Sequence, residues 1–162
     1  MSGDKEYFDL LFQKELIFLN EHFEDQADLF QKISARLYSQ SYVDSGFLLS
    51  LQTREKEYPT GLHAPAFDVA IPHTDPVHIK RPFIVAVRPD PPLDFQAMGM
   101  EQDHVDAALI FILGLQREGN QVLLLQKLMD LFLDEQKMKQ LLRIADQEEW
   151  LKEIQYFIKG RD

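Results

Sequence analysis

The sequence contains no cysteine, which removes disulfides, thiol nucleophiles and thiolate metal sites together and leaves histidine, carboxylate and hydroxyl groups to carry any chemistry. Basic residues are scarce: 17 Lys and Arg stand against 27 Asp and Glu in 162 residues, a formal charge of −10. Nonspecific binding to nucleic acid or anionic lipid needs a basic patch that replaces counterions, so neither is expected, and a basic protein surface is the favoured partner. No apolar run approaches the ~20 residues of a membrane-spanning helix, so no direct membrane insertion is expected. The opening Met1-Ser2-Gly3-Asp4-Lys5-Glu6 lacks the basic-then-apolar order of an export signal, and the expected location is cytoplasmic. Hydrophobic residues make up 45% of the chain, with 12 Phe and no low-complexity tract, which is enough to build one core. The expectation is a single domain over residues 1–162.

Hydrophobic spacing then predicts the elements. Lys14 to Asn20 reads as a buried strand or as the end of a short helix begun near Asp4, with the strand the favoured reading. Leu29, Phe30, Ile33 and Leu37 fall on one face of a helix from Asp25 to near Gln40, and Asp44 reads as the N-cap of a second helix that carries Arg54 near its C-terminal end. Phe67 to Ile71 alternates like a strand that stops at Pro72, Phe83 to Val87 is a continuous buried strand, and Asp106 to Leu113 reads as one more. Three helices follow: Asn120 to Asp134, Glu135 to Ala145, and one capped by Asp146 with Glu149 three residues on. Buried strands among helices, without helices between residues 67 and 113, predict an α/β three-layer sandwich with a small mixed central β-sheet flanked by helices.

Three of the five histidines lie close together, and His63, His73 and His78 with Asp75 admit a reading as zinc ligands. The spacing supports it poorly, since no pair of histidines falls on one helical turn and three prolines separate His63 from His78. No metal or other cofactor is expected. The other reading makes His73 a nucleophile: it follows Pro72 at a strand end, where α/β sheets place ligand sites, and an imidazole attacks at neutral pH with whichever nitrogen holds the lone pair. On position alone, a satisfied surface histidine with no role is the commoner case.

The run Arg54-Glu55-Lys56-Glu57-Tyr58-Pro59-Thr60-Gly61-Leu62, followed by Val69-Ala70-Ile71-Pro72-His73-Thr74-Asp75, resembles the signature of the fructose/mannitol/galactitol enzyme IIA domains of the bacterial sugar phosphotransferase system. The similarity extends over roughly residues 12 to 158, and Tyr58 to Leu62 with Val87-Arg88-Pro89 is most like the galactitol branch. The resemblance implies a mannitol-IIA-like fold and a phosphocarrier. His73 would accept a phosphoryl group from the phosphocarrier protein HPr as a tele-phosphohistidine, and an enzyme IIB, working with the membrane component IIC, would receive it for sugar uptake. Arg54 would stabilise the phosphate, its planar fork matching phosphate oxygens. Thr60, Asn120 and Gln121 would orient it, the last two where mannitol-type members carry a second histidine, although Asn120 serves equally well as a helix cap. Asp68 and Asp75, flanking the motif, would meet the arginine of HPr. A nitrogen-type regulatory protein that signals by its phosphorylation state is the alternative, and a metal-dependent hydrolase a weaker one.

Overall fold

The computed structural model describes residues 2–116 and 121–159. Helix α1, Ser2–Leu11, runs directly into β1, Phe12–Glu21, so the apolar run around Leu16 and Ile17 is strand, as its pattern predicts. Helices α2, Gln26–Ser39, and α3, Phe47–Glu57, follow and pack against each other. Asp25 caps α2 by accepting from the Asp28 amide at 2.8 Å. Asp44 does not cap α3, which corrects the expectation: Gly46 is the N-cap, and Asp44 Oδ1 accepts instead from the Gly46 amide and pairs with His78 Nδ1, each at 2.9 Å. The carboxylate thus closes the turn one step before the helix.

The remaining strands are β2, Gly61–Leu62; β3, Val69–Ala70; β4, Phe83–Pro89; β5, Leu93–Gln96; β6, His104–Ala107; and β7, Leu109–Gly114. Four of them join β1 in a mixed five-stranded sheet in the order β1-β4-β7-β3-β2, with β1 parallel to β4 and β3 parallel to β7, while β4 runs antiparallel to β7. The expected single strand over Asp106 to Leu113 is two strands. Its first part alternates, with Val105 and Ala107 inside and His104 and Asp106 outside, as a half-exposed hairpin partner of β5 must; its second part is buried at every residue, as a central strand must be. The chain changes sheets at Ala108, whose amide bonds to the Asp68 carbonyl.

Alternation along β4 and β7 divides the interior. Phe83, Val85, Val87, Ile110 and Ile112 face α2, α3 and the β5–β6 hairpin, whereas Ile84, Ala86, Leu109, Phe111 and Leu113 face the opposite layer. That second layer holds α1 with α4, Gln121–Leu133; α5, Glu135–Arg143; and α6, Gln147–Lys159. This is the predicted three-layer arrangement. Asp146 caps α6 through the Glu149 amide, as its spacing predicts. Arg88, at the end of β4, is buried and donates to the carbonyls of Leu141 and Ile144 at the C-terminal end of α5 and to Asn20 Oδ1; Trp150 Nε1 donates to the same Leu141 carbonyl. Among the described residues no helix is long and apolar enough to cross a membrane.

Candidate functional site

The strands β3 and β7 run parallel, and the chain leaving β3 keeps to β7 for three more residues: the Leu113 amide donates to the Pro72 carbonyl at 2.9 Å, and His73 bridges to Leu113. His73 therefore stands at the carboxyl end of the sheet, held by backbone on one side. Its Nδ1 donates to the Ile71 carbonyl at 2.9 Å. A carbonyl can only accept, so this bond places the ring proton on Nδ1 and the free lone pair on Nε2.

Two clefts meet at His73. One, of about 610 Å³, is lined by Arg54, Tyr58, Thr60, His73, Met98 and Met100; the other, of about 240 Å³, by Arg54, His73, Thr74, Asp75, Gln121 and Leu125. Arg54 lines both, and also a third cleft of about 460 Å³ that runs along α3 past Leu49, Ser50 and Thr53 to His78. The guanidinium is exposed, rests on the Tyr58 ring at 4.7 Å, and makes no ion pair among the described residues, so its donors are open to an incoming anion. Its register follows from the α3 pattern: Phe47, Leu51 and Glu55 form the buried stripe, and Arg54 stands beside it at the rim.

Gln121 opens α4 in the smaller cleft. Its side-chain nitrogen Nε2 is buried and has no hydrogen-bond partner among the described residues. An orphan donor of this kind costs about 1–3 kcal/mol unless something accepts from it. It also sits where a helix N-terminus favours negative charge. Asn120 lies outside the described residues.

Thr60 is buried, and both its amide and its Oγ1 donate to Glu55, each at 2.8 Å. Its hydroxyl hydrogen is thereby committed, so the expected contact with phosphate is replaced by a structural one. Asp75 is exposed at the rim of the smaller cleft. Asp68 is not at the site. It lies at the opposite end of β3, pairs with His63 Nδ1 at 3.0 Å and accepts from the Asp106 amide. The zinc reading separates likewise: His63 lies between Asp68 and Asp103, whose hydrogen bonds, Asp103 foremost, raise its pKa, while His78 pairs with Asp44. Among the described residues no group of three His, Asp or Glu side chains is arranged so that it could hold a metal ion.

Two supports escape a reading by residue type. Ser50 Oγ and Thr74 Oγ1 share a hydrogen bond that ties the loop after His73 to α3. Glu55 is a carboxyl at a core position, pushed up to about 7 by burial, and the two bonds from Thr60 only partly offset that shift. The signal for Glu55 was its spacing, four residues after Leu51 on the apolar stripe. Gly61 brings up the last wall: a side chain there would meet the Gln96 carbonyl at 2.7 Å, and its own carbonyl accepts from the Met98 amide, which sets the β5–β6 turn beside His73.

Residues 10–156 match the family described as the phosphoenolpyruvate-dependent sugar phosphotransferase system, EIIA 2. The chain belongs to this enzyme IIA family. Over 104 residues it is 28% identical to the galactitol-specific EIIA component of Escherichia coli K12, covering 64% of this chain and 69% of that protein. Two solved structures share the fold. The nitrogen regulatory protein IIA-Ntr from Neisseria meningitidis has a TM-score of 0.73 at 24% identity, over 91% of this chain and 99% of that one. The Escherichia coli mannitol enzyme IIA, solved in complex with phosphorylated enzyme IIB, has a TM-score of 0.68 at 19% identity, over 93% of this chain and all of that one, at 100%. This enzyme IIA is thus a phosphocarrier component of the sugar phosphotransferase system.

Proposed function

We propose that His73 Nε2 is the phosphoryl acceptor of this enzyme IIA, that phospho-HPr is the donor, and that an enzyme IIB takes the group onward for uptake of a sugar, galactitol being the first candidate. The chain works as one domain in the cytoplasm. The observation that carries the reading is the Nδ1–H bond to the Ile71 carbonyl, which leaves the Nε2 lone pair free to attack, on a ring that lines one cleft with Arg54 and Gln121. As the new bond from Nε2 to phosphorus forms, the bond from phosphorus to the donor nitrogen breaks. Positive charge on the ring is drained towards the Ile71 carbonyl. Charge on the three equatorial oxygens is met by the Arg54 guanidinium, by Gln121 Nε2 and by the first turn of α4, so the protein contributes positioning and electrostatics with little covalent work.

The surface around the clefts suits two successive partners. Leu49, Tyr58, Val77, Met98 and Met100 are exposed large apolar side chains from three segments that border Arg54 and His73, and Asp75, Glu57 and Glu101 stand among them. An apolar collar with acidic points fits a carrier that presents an apolar face and a cation beside its own phosphorylated residue, and a modest interface permits quick release. Incubation with phosphoenolpyruvate, enzyme I and HPr, followed by mass measurement and site mapping, tests the proposal. One phosphoryl group on His73 is expected; label on another residue, or none, overturns it.

A further inference from the structure

Glu55 is 5% exposed on the apolar stripe of α3 and has no cationic partner among the described residues. A carboxylate in such a position weakens the fold unless its hydrogen bonds are filled, and an apolar side chain there would pack without that cost. Its only described partners are the amide and the hydroxyl of Thr60. Thr60 in turn is bound at its third polar group: its carbonyl accepts from the Ile71 amide at 3.3 Å. The other side of that same residue, the Ile71 carbonyl, accepts from His73 Nδ1. Four residues from three segments are thus joined in series, and the series ends on the imidazole.

We infer that Glu55 is a positioning residue for the phosphoryl acceptor, acting through Thr60 and the Ile71 backbone to fix the tautomer and direction of the His73 ring. The inference builds on the acceptor role proposed for His73. Glu55 follows Arg54 on the same turn of α3, so one helical turn sets the guanidinium directly and the imidazole through three hydrogen-bonded links. Their separation is then governed by one rigid element, which matters because in-line transfer loses rate steeply with small misplacement. The ionised carboxylate accepts from both Thr60 donors. A glutamine keeps one acceptor and its NH2 makes the Thr60 hydroxyl reverse, and a Thr60→Val change removes that hydroxyl while keeping the shape.

Nitrogen-15 NMR of His73 reads the tautomer directly, without any phosphorylation step, and phosphorylation by phospho-HPr reads the consequence. The wild type and Thr60→Ser are expected to hold neutral His73 with its proton on Nδ1. In Glu55→Gln and Thr60→Val the ring is expected to populate the Nε2–H form and to accept phosphoryl at least tenfold more slowly, with circular dichroism unchanged. Thr60→Ser is expected to transfer within about twofold of wild type. Should Glu55→Gln fail to fold, Thr60→Val carries the decision. An unchanged His73 tautomer and rate in a folded Thr60→Val protein overturns the inference. A tautomer that shifts in a protein whose His73 is never phosphorylated supports the positioning series and refutes the acceptor role instead.

Discussion

Replacing Glu55 with glutamine removes one titrating group from the buried face of α3 and leaves every other ionisable group in place. Burial holds the Glu55 pKa at about 7, against 4.5 for the same group in water. An acid whose pKa is higher in the folded chain binds its proton more tightly there. Its contribution to stability is therefore full below the unfolded pKa and is lost as pH rises through the folded one. The difference of about 2.5 units, at about 1.4 kcal/mol each, amounts to about 3 kcal/mol, of which about 2 kcal/mol falls between about pH 5 and about pH 7.5. The assay is urea unfolding of both proteins at those two pH values. The wild type is expected to lose about 2 kcal/mol more than Glu55→Gln on going from the acid to the neutral buffer, which for a chain of this length is roughly 4–8 °C in melting temperature. The altered hydrogen bonds of the glutamine add an offset that does not change with pH and cancels in the comparison, as do the shifts of His63 and the carboxylates. Parallel pH dependences would refute the reasoning, because they would mean that water or a charge reaches Glu55 and removes the cost of ionising it.

The remaining predictions concern the clefts. His73→Gln is expected to abolish phosphoryl acceptance with the fold intact, and label retained on the variant by site mapping would contradict the acceptor role. Arg54→Ala is expected to slow transfer at least tenfold, on the order of 1.4 kcal/mol in the barrier, with a melting temperature near that of wild type because the side chain is exposed. Gln121→Leu removes the orphan donor and is expected to slow transfer by on the order of tenfold, the loss of about one charge-assisted bond, while stability holds or rises; rapid-quench kinetics beside thermal melts separate the two effects. Association with HPr is expected to slow as salt rises through physiological strength, where the Debye length is about 8 Å, and to weaken at least tenfold in Met100→Asp; stopped-flow rates flat across that range would mean that steering is absent.

Much of this fold was legible because its strongest signals are local. The helix over Gln26–Ser39 and the cap at Asp146 follow from spacing and one side-chain oxygen, and β4 follows from an unbroken apolar run. The strands that were missed, β2 and β5, are two and four residues long and gain their pairing from elsewhere in the chain: β2 from β3, and β5 from β6. The fused reading of Asp106 to Leu113 failed because composition alone does not mark where a chain crosses between sheets; the change from alternating to continuous burial at Ala108 does. At the site, His73 and Arg54 were marked by motif. The role of Thr60 was not, because a hydroxyl in a motif reads the same whether it faces phosphate or a carboxylate. Asp68 was misplaced for a related reason: nearness in sequence to Val69 and Ala70 says nothing about which end of the strand faces the partner.

The guanidinium of Arg88 has a consequence for how this carrier meets its partners. It is a cation held by carbonyl and amide oxygens at the far end of the sheet from His73, with no carboxylate partner among the described residues. Separating α5 from the sheet would break two hydrogen bonds from a charged donor, so the rear layer behaves as a plate bolted to β4, with Trp150 sharing one of the same fastening points. If two carriers dock in turn on the opposite rim, as proposed for this chain, the layer behind that rim is expected to keep its shape. Little ordering entropy would then be spent at each encounter, and the free energy of contact would go to aligning phosphorus between two nitrogens or between nitrogen and the next acceptor.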